Sequence, residues 1–378
     1  MKKIIKTLAF CIIFSVAVAI FGITSFAQEN SFNISAKSVC LIEAESGRVL
    51  YCKNENLRMS MASTTKIMTA IIALESDIPL SREIFITKEA VAIEGSSIYL
   101  AEGEQITFEA LIYGLLLCSA NDAATAIAIA VSGSVDKFVS KMNCKAQALG
   151  LIDTHFVNPH GLYDDDHYTT AYDLARLMAY CMQNEDFAKI SGCPKKVFPK
   201  DADGTRIMIN HNKLLKQNIG VIAGKTGFTK KSGRCLVSCA QKENVDLICV
   251  TLNAPDDWND HKTLYEFGFE NYKRINLATI SLDIPVISGQ KSKVLVKSTE
   301  TSLVLPSDYK SIEATIEAPH FLYAGLKRGE QIGRVVYTYN GKILASSPLI
   351  LCEDVPKIKY GINLFEWFKN LFTKIKEL

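Results

Sequence analysis

The chain has 378 residues, and its 42 basic and 40 acidic side chains leave a formal net charge of +2. No basic stripe is present, so the charge pattern argues against nucleic acid as a partner. The hydrophobic content of 48% is ordinary for globular protein, and the length suits two domains with additional termini. Function therefore has to be inferred from local motifs.

The first 27 residues have the pattern of a signal peptide. Three lysines precede an apolar run of 16 residues, Leu8–Ile23, and Ser25-Phe26-Ala27 offers a small-x-small cleavage site. An uncleaved anchor helix is the alternative, although the run is shorter than the ~20 residues that span a bilayer. We predict a signal peptide over residues 1–27 and an exported mature protein that starts near Gln28.

Cysteine usage is unusual for an exported protein. Of the 11 cysteines, one lies in the predicted signal peptide, which leaves ten at irregular spacings. No C-x-x-C pair is present, so the sequence gives no support to a zinc or thioredoxin-like redox motif. Several cysteines lie in apolar segments, and Cys235, Val237 and Cys239 would share one strand face as small core residues. We expect mostly free, buried thiols.

Residues 28–275 combine helical and strand patterns. Val39–Ile42 and Val49–Tyr51 flank a turn-like segment and predict a hairpin. Strands are predicted again at Leu236–Ser238 and Asp246–Leu252. Strands at both ends and helices between them predict an α+β domain whose antiparallel sheet joins its two ends. The predicted helices are Ser63–Glu75, Thr107–Leu117, Asp122–Val131, Val135–Leu149 and Thr170–Met182, the last with a capping-box pattern.

Residues 276–356 predict a second domain without helices. Short segments such as Lys293–Lys297 and Thr301–Leu305 alternate apolar and polar residues. Asn340-Gly341 lies between two further strand patterns and is a strong signal for a two-residue hairpin. Regular turn spacing favours a small all-β sandwich.

The last segment, residues 357–378, contains an amphipathic helical pattern. A helix that packs on a protein core is the alternative, but aromatic residues at the terminus, framed by lysines, favour a helix in a membrane interface. Charges interrupt the segment every few residues, so it is not a spanning helix. The apolar face comprises Leu364, Phe365, Trp367, Phe368, Leu371, Phe372, Ile375 and Leu378.

Ser63 and Lys66 form an S-x-x-K tetrad at the start of an apolar helix. Positions i and i+3 share one helix face, so the lysine amine is expected beside the serine hydroxyl. A serine needs a base to act as a nucleophile near neutral pH, and a buried lysine with a lowered pKa can serve as that base. Most isolated tetrads of this kind are surface helix starts, so the motif alone is weak.

Two later motifs strengthen the assignment. Ser119-Ala-Asn121 lies at the joint between two apolar helices, where a serine and an asparagine are costly unless they form hydrogen bonds. Lys225-Thr226-Gly227 directly precedes an apolar strand pattern, and Gly227 would allow a substrate backbone to approach closely. S-x-x-K, S-x-N and K-T-G together, in this order, are typical of β-lactamases and penicillin-binding proteins.

With these motifs the sequence resembles the D-alanyl-D-alanine carboxypeptidases among the low-molecular-mass penicillin-binding proteins. The resemblance runs from about Ser35 to the C-terminus and includes Asn158-Pro-His-Gly-Leu162, His167–Ala175 and Lys225–Ser238. It implies a transpeptidase-like catalytic domain at 28–275, a helical core against an antiparallel sheet. The β-sandwich at 276–356 and the anchor helix at 357–378 match the same family.

The resemblance also implies roles for individual residues. Ser63 would attack the carbonyl between two D-alanines of a peptidoglycan stem peptide, and Lys66 would take its proton. Ser119 would relay a proton to the leaving amine, and Asn121 would orient Lys66 or the substrate amide. β-Lactams would acylate Ser63 as inhibitors.

Substrate binding would involve the third motif. Lys225 and Thr226 would bind the terminal carboxylate, and Gly227 would belong to the same substrate-binding motif. The backbone N–H groups of Ser63 and Phe228 would form the oxyanion hole. Some members of the family carry an arginine in the loop at Asn253–Asp260, and this sequence has none there. Carboxylate recognition would then depend more heavily on the lysine and the threonine.

Two other functions compete with this assignment. A β-lactamase would need a deacylating Glu-x-x-Leu-Asn pattern, which the sequence lacks. A non-catalytic, peptidoglycan-binding or β-lactam-sensing protein would have no use for the intact Ser63, Lys66, Ser119 and Lys225. No cofactor is expected. Acidic residues beside His167 and His261 favour helix starts over a metal site.

Overall fold

The computed structural model describes residues 33–200 and 204–358. The predicted signal peptide and nearly all of the predicted anchor segment, residues 359–378, lie outside the described residues. The chain divides into a first compact unit, Met1–Lys242 with Asp246–Gly268, and a second, Glu243–Val245 with Phe269–Leu378. Each unit is described by itself.

Helices and strands alternate irregularly up to residue 271. The strands are β1 (Ser38–Glu43), β2 (Val49–Lys53), β3 (Glu83–Phe85), β4 (Gln105–Thr107), β5 (Lys195–Lys200), β6 (Gly204–Ile209), β7 (Val221–Thr229), β8 (Gly233–Lys242) and β9 (Val245–Leu252). The helices are α1 (Lys66–Leu74), α2 (Lys88–Val91), α3 (Phe108–Leu117), α4 (Asn121–Ser132), α5 (Val135–Ala148), α6 (Ala171–Cys181), α7 (Glu185–Ser191) and α8 (Asp257–Asn271). Short 3₁₀ turns lie at Ala62–Thr65, directly before α1, and at Lys213–Lys216.

A five-stranded antiparallel sheet organises the first unit, in the order β2-β1-β9-β8-β7. Strand β1 pairs with β9, so the sheet joins the start and the end of the domain, as the sequence predicts. Residues Cys235 to Ala240 of β8 are all buried, because this strand is covered on both faces. The predicted grouping of Cys235, Val237 and Cys239 is confirmed, and Leu236 and Ser238 fill the opposite face.

The helical core consists largely of α1, α3 and α4. Residues Lys66 to Ala73 of α1 are all buried, since this helix is enclosed by the rest of the unit. The five predicted helices are found, if the 3₁₀ turn before α1 is included, and α2, α7 and α8 were missed. Within the described residues no single helix is long and apolar enough to cross a membrane, although α4 and α5 together, bent by 85°, meet that test by length and composition.

The capping prediction at Thr170 is half confirmed. Its hydroxyl accepts a hydrogen bond from the backbone N–H of Asp173 at 3.0 Å, as an N-cap residue should. The Asp173 carboxylate does not return this contact in the way of a capping box. It accepts instead from the N–H of Asp153 at 2.9 Å and the hydroxyl of Thr154 at 2.8 Å. Asp173 therefore ties a preceding loop to the start of α6.

Beyond the end of α8 at Asn271, the described part of the second unit is all-β. Its strands are β10 (Tyr272–Leu277), β11 (Ser281–Ile287), β12 (Lys293–Ser298), β13 (Thr301–Pro306), β14 (Glu313–Glu317), β15 (Leu322–Tyr323), β16 (Gln331–Tyr339) and β17 (Lys342–Leu351). They form a six-stranded sheet, β14-β16-β17-β12-β11-β15, and a two-stranded pair, β10-β13. The predicted hairpin at Asn340-Gly341 is confirmed, and both residues have positive φ, 50° and 71°, as a type I′ turn requires.

Candidate active site

The nucleophile candidate, Ser63, lies in the 3₁₀ turn that leads into α1. Ala62, directly before it, has φ of +49°, a left-handed conformation that is strained for a residue with a side chain. Ser63 is partly exposed, whereas its neighbours in the turn are buried. Its Oγ lies 3.0 Å from Nζ of Lys66, one turn later. The sequence prediction that these two side chains share a helix face is therefore met.

The Lys66 amine is fully buried and has three oxygen neighbours. Besides Ser63 Oγ these are Oδ1 of Asn121 at 2.7 Å and the backbone carbonyl of His160 at 2.5 Å. Burial holds the pKa of Lys66 well below its usual range, and the nearby charge of Lys225 lowers it further. A neutral amine has two hydrogens, and the carbonyl oxygens of Asn121 and His160 only accept. Its lone pair is then left for the Ser63 hydroxyl proton, which is the arrangement of a general base.

Asn121 is fixed by a second contact. Its Nδ2 donates to the backbone carbonyl of Glu94 at 2.7 Å, which turns Oδ1 toward Lys66. A Cβ at Gly95 would lie 2.7 Å from this Nδ2, so the absence of a side chain there makes room for the amide. Of the two roles predicted for Asn121, the geometry fits the orientation of Lys66.

A second buried lysine lies in the third motif. Nζ of Lys225 donates to Ser119 Oγ at 3.0 Å and to the backbone carbonyl of Thr226 at 2.7 Å. Burial lowers the pKa of Lys225 to about 7. Ser119 is buried in the joint between α3 and α4 and has φ of +60°, another left-handed position in a residue other than glycine. The structure thus brings the second and third motifs together through Ser119 and Lys225.

Strand β7 is an edge strand and carries the rest of the third motif. Thr226 is partly exposed, Gly227 is buried and Phe228 is 65% exposed. A Cβ on Gly227 would lie 3.1 Å from the backbone nitrogens of Ser63 and Thr64. The close neighbour of this glycine is therefore the nucleophile turn itself, whereas the sequence led us to expect a substrate backbone. This contact places β7 directly beside the Ser63 N–H.

The loop Asn158–Leu162 contributes contacts that sequence reasoning did not assign. The Asn158 side chain accepts from the N–H of Gly161 at 2.6 Å and donates to the carbonyl of Leu162 at 2.9 Å, which shapes the loop. The loop then directs the His160 carbonyl at Lys66. Gly161 has φ of +87°, and a Cβ there would lie 2.0 Å from the carbonyl oxygen of Ala62. The Asn-Pro-x-Gly pattern of residues 158–161 predicts a turn, but it does not indicate that the turn packs against Ala62.

His167 supports the nucleophile turn from behind. Its Nδ1 accepts from the N–H of Val157 at 3.1 Å, so we assign the hydrogen to Nε2, which lies 2.7 Å from the Thr65 hydroxyl. Thr65 in turn donates to the carbonyl of Ala62 at 2.8 Å. Burial lowers the pKa of His167 to about 4, so the ring is neutral at physiological pH. The chain of hydrogen bonds ends on the strained residue that precedes Ser63.

The acidic clusters at 164–167 and 256–261 serve structural contacts. Asp260 accepts from the N–H groups of Ser35 and Ala36 at 2.8 and 3.0 Å, and the ring of His261 contacts the hydroxyls of Ser238 and Thr251. Among the described residues no group of three or more His, Cys, Asp or Glu side chains is placed to hold a metal ion.

The loop that lacks an arginine still has a guanidinium beside it. Arg234 of β8 reaches Asp257 with Nη2 at 2.6 Å, and its guanidinium lies over the Trp258 ring at 5.3 Å. Asp257 is buried, so it offsets the charge of Arg234 in the folded protein. Sequence reasoning missed this pairing because the two residues are 23 positions apart.

Comparison with known proteins identifies the family. The model described as D-alanyl-D-alanine carboxypeptidase matches residues 24–256, which contain all three motifs. The chain belongs to the D-alanyl-D-alanine carboxypeptidase family. A second model, described as penicillin-binding protein 5, C-terminal domain, matches residues 269–357 and covers the all-β unit.

Individual relatives agree with this membership. The chain is 32% identical to D-alanyl-D-alanine carboxypeptidase DacF of Bacillus subtilis, over 100% of both chains. It is also 32% identical to D-alanyl-D-alanine carboxypeptidase DacC of Escherichia coli, over 94% of this chain and 95% of the relative. Among solved structures, penicillin binding protein 5 from Haemophilus influenzae is 29% identical with a TM-score of 0.74, and the match covers 89% of this chain and all of the other.

Family membership confirms the predicted fold class and reaction. The chain is a serine-type D-Ala-D-Ala carboxypeptidase with a transpeptidase-like domain and an all-β C-terminal domain. The acyl-enzyme mechanism follows from the family, whose members act on D-Ala-D-Ala peptides of peptidoglycan and bind β-lactams. Which residues of this chain perform each step is a separate question.

We predict that Thr65→Val slows acylation by labelled penicillin by about 10- to 100-fold. Loss of the hydroxyl removes the bond to the Ala62 carbonyl and lets the Ser63 turn shift, and shifts of about 1 Å cost rates of this order. Stopped-flow acylation at a series of penicillin concentrations separates the acylation step from reversible binding, which we expect to be unchanged.

Thr65→Ser is the matched control, since it keeps the hydroxyl and should keep the rate. An equal slowing in both variants, or a loss confined to reversible binding, would contradict a positioning role for Thr65.

Proposed function

We propose that Ser63 is the nucleophile of this carboxypeptidase and that Lys66 is its general base. The observation that carries the proposal is the fully buried Lys66 amine, 3.0 Å from Ser63 Oγ, with its other two neighbours being acceptors that do not titrate. Burial holds the pKa of this amine well below its usual range, which favours the unprotonated form that takes the hydroxyl proton as the Oγ–carbon bond forms.

Ser119 is the proposed proton relay, and Lys225 is the proposed cation that binds the substrate carboxylate. As the C–N bond between the two D-alanines breaks, the proton held by Lys66 passes through the Ser119 hydroxyl to the leaving amine, and free D-alanine departs. Water then cleaves the Ser63 ester and releases the shortened peptide. Lys225 donates to Ser119 Oγ, so its charge is available both to this hydroxyl and to an incoming carboxylate.

The exposed edge of β7 is the proposed binding strand for the stem peptide. An edge strand leaves backbone N–H and C=O groups on one side for an extended ligand. Thr226 adds a hydroxyl for the carboxylate, and the N–H of Phe228, with that of Ser63, is the proposed oxyanion hole. Arg234 is paired with Asp257, which leaves carboxylate recognition to Lys225 and Thr226.

We expect Ser63→Ala to abolish both covalent labelling by penicillin and release of D-alanine from a diacyl-L-Lys-D-Ala-D-Ala peptide. Ser140→Ala is the matched control, since this serine is exposed on α5 and should leave both signals unchanged. Penicillin label on the Ser63→Ala protein would refute the assignment. Rapid turnover of penicillin without release of D-alanine would favour a β-lactamase, and neither signal in the unmodified protein would favour a non-catalytic binding protein.

The pH dependence of kcat/KM tests the two lysines. We expect the rate to rise with pH as Lys66 loses its proton, and to fall above about pH 7 as Lys225, whose pKa is lowered to about 7, loses its charge. Lys225→Arg keeps a charge at all these pH values, so its normalised profile should lack the alkaline decline even if the absolute rate is lower. If kcat/KM of this variant still declined above about pH 7, the decline would be caused by a group other than Lys225.

We further propose that the protein is exported and lies on the outer face of the cytoplasmic membrane, held there by the segment 357–378. The signal-peptide pattern of residues 1–27 and the substrate of the family support the location. The match to the C-terminal family model ends at residue 357, where the amphipathic segment begins. For the domains we propose the bounds predicted from the sequence, with the catalytic domain at 28–275 and the β-sandwich at 276–356.

Flotation of the mature protein with anionic liposomes tests the anchor. Deletion of Tyr360–Leu378 should abolish co-flotation and leave penicillin labelling unchanged. A full-length variant with Phe365→Glu, Phe368→Glu and Phe372→Glu should also fail to float, since the apolar face is lost while the length is kept. Binding that survives the deletion would place the membrane contact elsewhere.

A further inference from the structure

Two cysteines face each other across the hairpin at the far edge of the main sheet. Cys40 of β1 and Cys52 of β2 are direct register partners in an antiparallel pair. Residues in such a pair have Cα atoms about 4.5 or 5.5 Å apart and side chains on the same sheet face. Disulfides span Cα separations of about 4.4–6.8 Å. The backbone therefore already holds these two positions at bonding separation.

The alternation of side chains along the strands selects Cys52 over Cys249, a thiol on the other neighbouring strand. On its opposite side β1 pairs with β9, where the partner of Cys40 is Val250. Cys249 is the next residue along β9, so its side chain points to the other face of the sheet. Of Cys52 and Cys249, only Cys52 therefore shares the sheet face of Cys40. The register of β1 and β2 thus determines that Cys40 faces Cys52.

We propose that Cys40 and Cys52 close to a cross-strand disulfide when the protein meets a disulfide oxidant. In the first step the Cys52 thiolate attacks one sulfur of a small-molecule disulfide and releases one thiol of that reagent. The Cys40 thiolate then attacks the Cys52 sulfur of the mixed disulfide and releases the second thiol. The protein loses two electrons and two protons, and one reagent disulfide becomes two thiols.

Accessibility sets the order of these two steps. Cys52 is exposed on the edge strand, whereas Cys40 is fully buried, so the reagent reaches Cys52 first. Partial desolvation by its neighbours, followed by the effect of Glu55, raises the pKa of Cys52 to about 11, and full burial raises that of Cys40 further. Thiolates are therefore scarce at neutral pH in the folded protein. Closure is slow there, faster at higher pH and fastest during folding, before Cys40 is buried.

The bond would fasten the outermost strand of the sheet to its neighbour. Strand β2 has a partner on one side, and its last residue, Lys53, already ties down the N-terminal segment through the carbonyls of Ile34 and Ala36. The active-site strand β7 is the opposite edge of the same sheet. We therefore expect a gain in stability without a change in the acylation rate.

The test uses the purified, reduced full chain, refolded with and without oxidised glutathione. We expect the oxidised protein to lose two free thiols by maleimide counting under denaturing conditions. Peptide mass spectrometry should find Cys40 linked to Cys52 with the loss of two hydrogens. The melting temperature should rise by roughly 3–8 °C and return on reduction, in the range that a short cross-link gives.

Cys52→Ser should lose both the linkage and the gain in melting temperature. The matched control is Cys144→Ser, which removes another exposed thiol, on α5, and should keep both. A glutathione adduct on Cys52 with Cys40 free, a linkage of either cysteine to another partner, or an unchanged thiol count would each overturn the proposal. Penicillin labelling is measured in parallel to confirm that every sample is folded. We expect this labelling to be the same whether or not the disulfide forms.

Discussion

The proposed site depends on a lysine amine inside the protein, whose pKa is held well below its usual range by burial. Lys66 is enclosed by residues of α1, α4 and the loop Asn158–Leu162, and its contacts with Asn121 and His160 use up the two hydrogens of a neutral amine. A charged amine in the same place would have to be desolvated at high cost, and the folded protein therefore favours the neutral form. In the proposed mechanism the lone pair is left beside Ser63, so the same burial that penalises the charge favours Lys66 as the base.

The proposed site contains two buried lysines, and its mechanism requires opposite charge states of them. Lys66 has to be neutral to accept a proton, and Lys225 has to be charged to attract a carboxylate. Both are buried, but their polar partners differ, and the pKa of Lys225 falls to about 7 while that of Lys66 lies well below its usual range. Each charge disfavours the other, so a proton on Lys225 helps to keep Lys66 unprotonated. In the proposed mechanism Lys66 acts as the base and Lys225 as the cation, although the two side chains are identical and both are buried.

The serines of the site are presented by strained backbone. Ala62, directly before Ser63, and Ser119 both have positive φ, which costs free energy in residues with a side chain. The strain at Ala62 is balanced by the Thr65 hydroxyl, which His167 orients, and by the close packing of Gly161 against the same turn. Such conformations persist where the surrounding contacts determine them. The segments that supply these contacts therefore support the proposed catalytic residues even though they carry no reacting group.

The sequence by itself determined five of the eight described helices, the Asn340-Gly341 hairpin and the three motifs, because periodicity, turn chemistry and short spacings are local properties. It missed α2 and α7, and of α8 it indicated only the acidic start beside His261. It missed the His160 carbonyl, since a backbone oxygen leaves no side-chain signal. The contact between Thr65 and His167 joins residues 102 positions apart, and the pairing of Cys40 with Cys52 depends on strand register. Only the tertiary structure decided these, because the electrostatics and the proximity of buried groups arise when distant segments pack together.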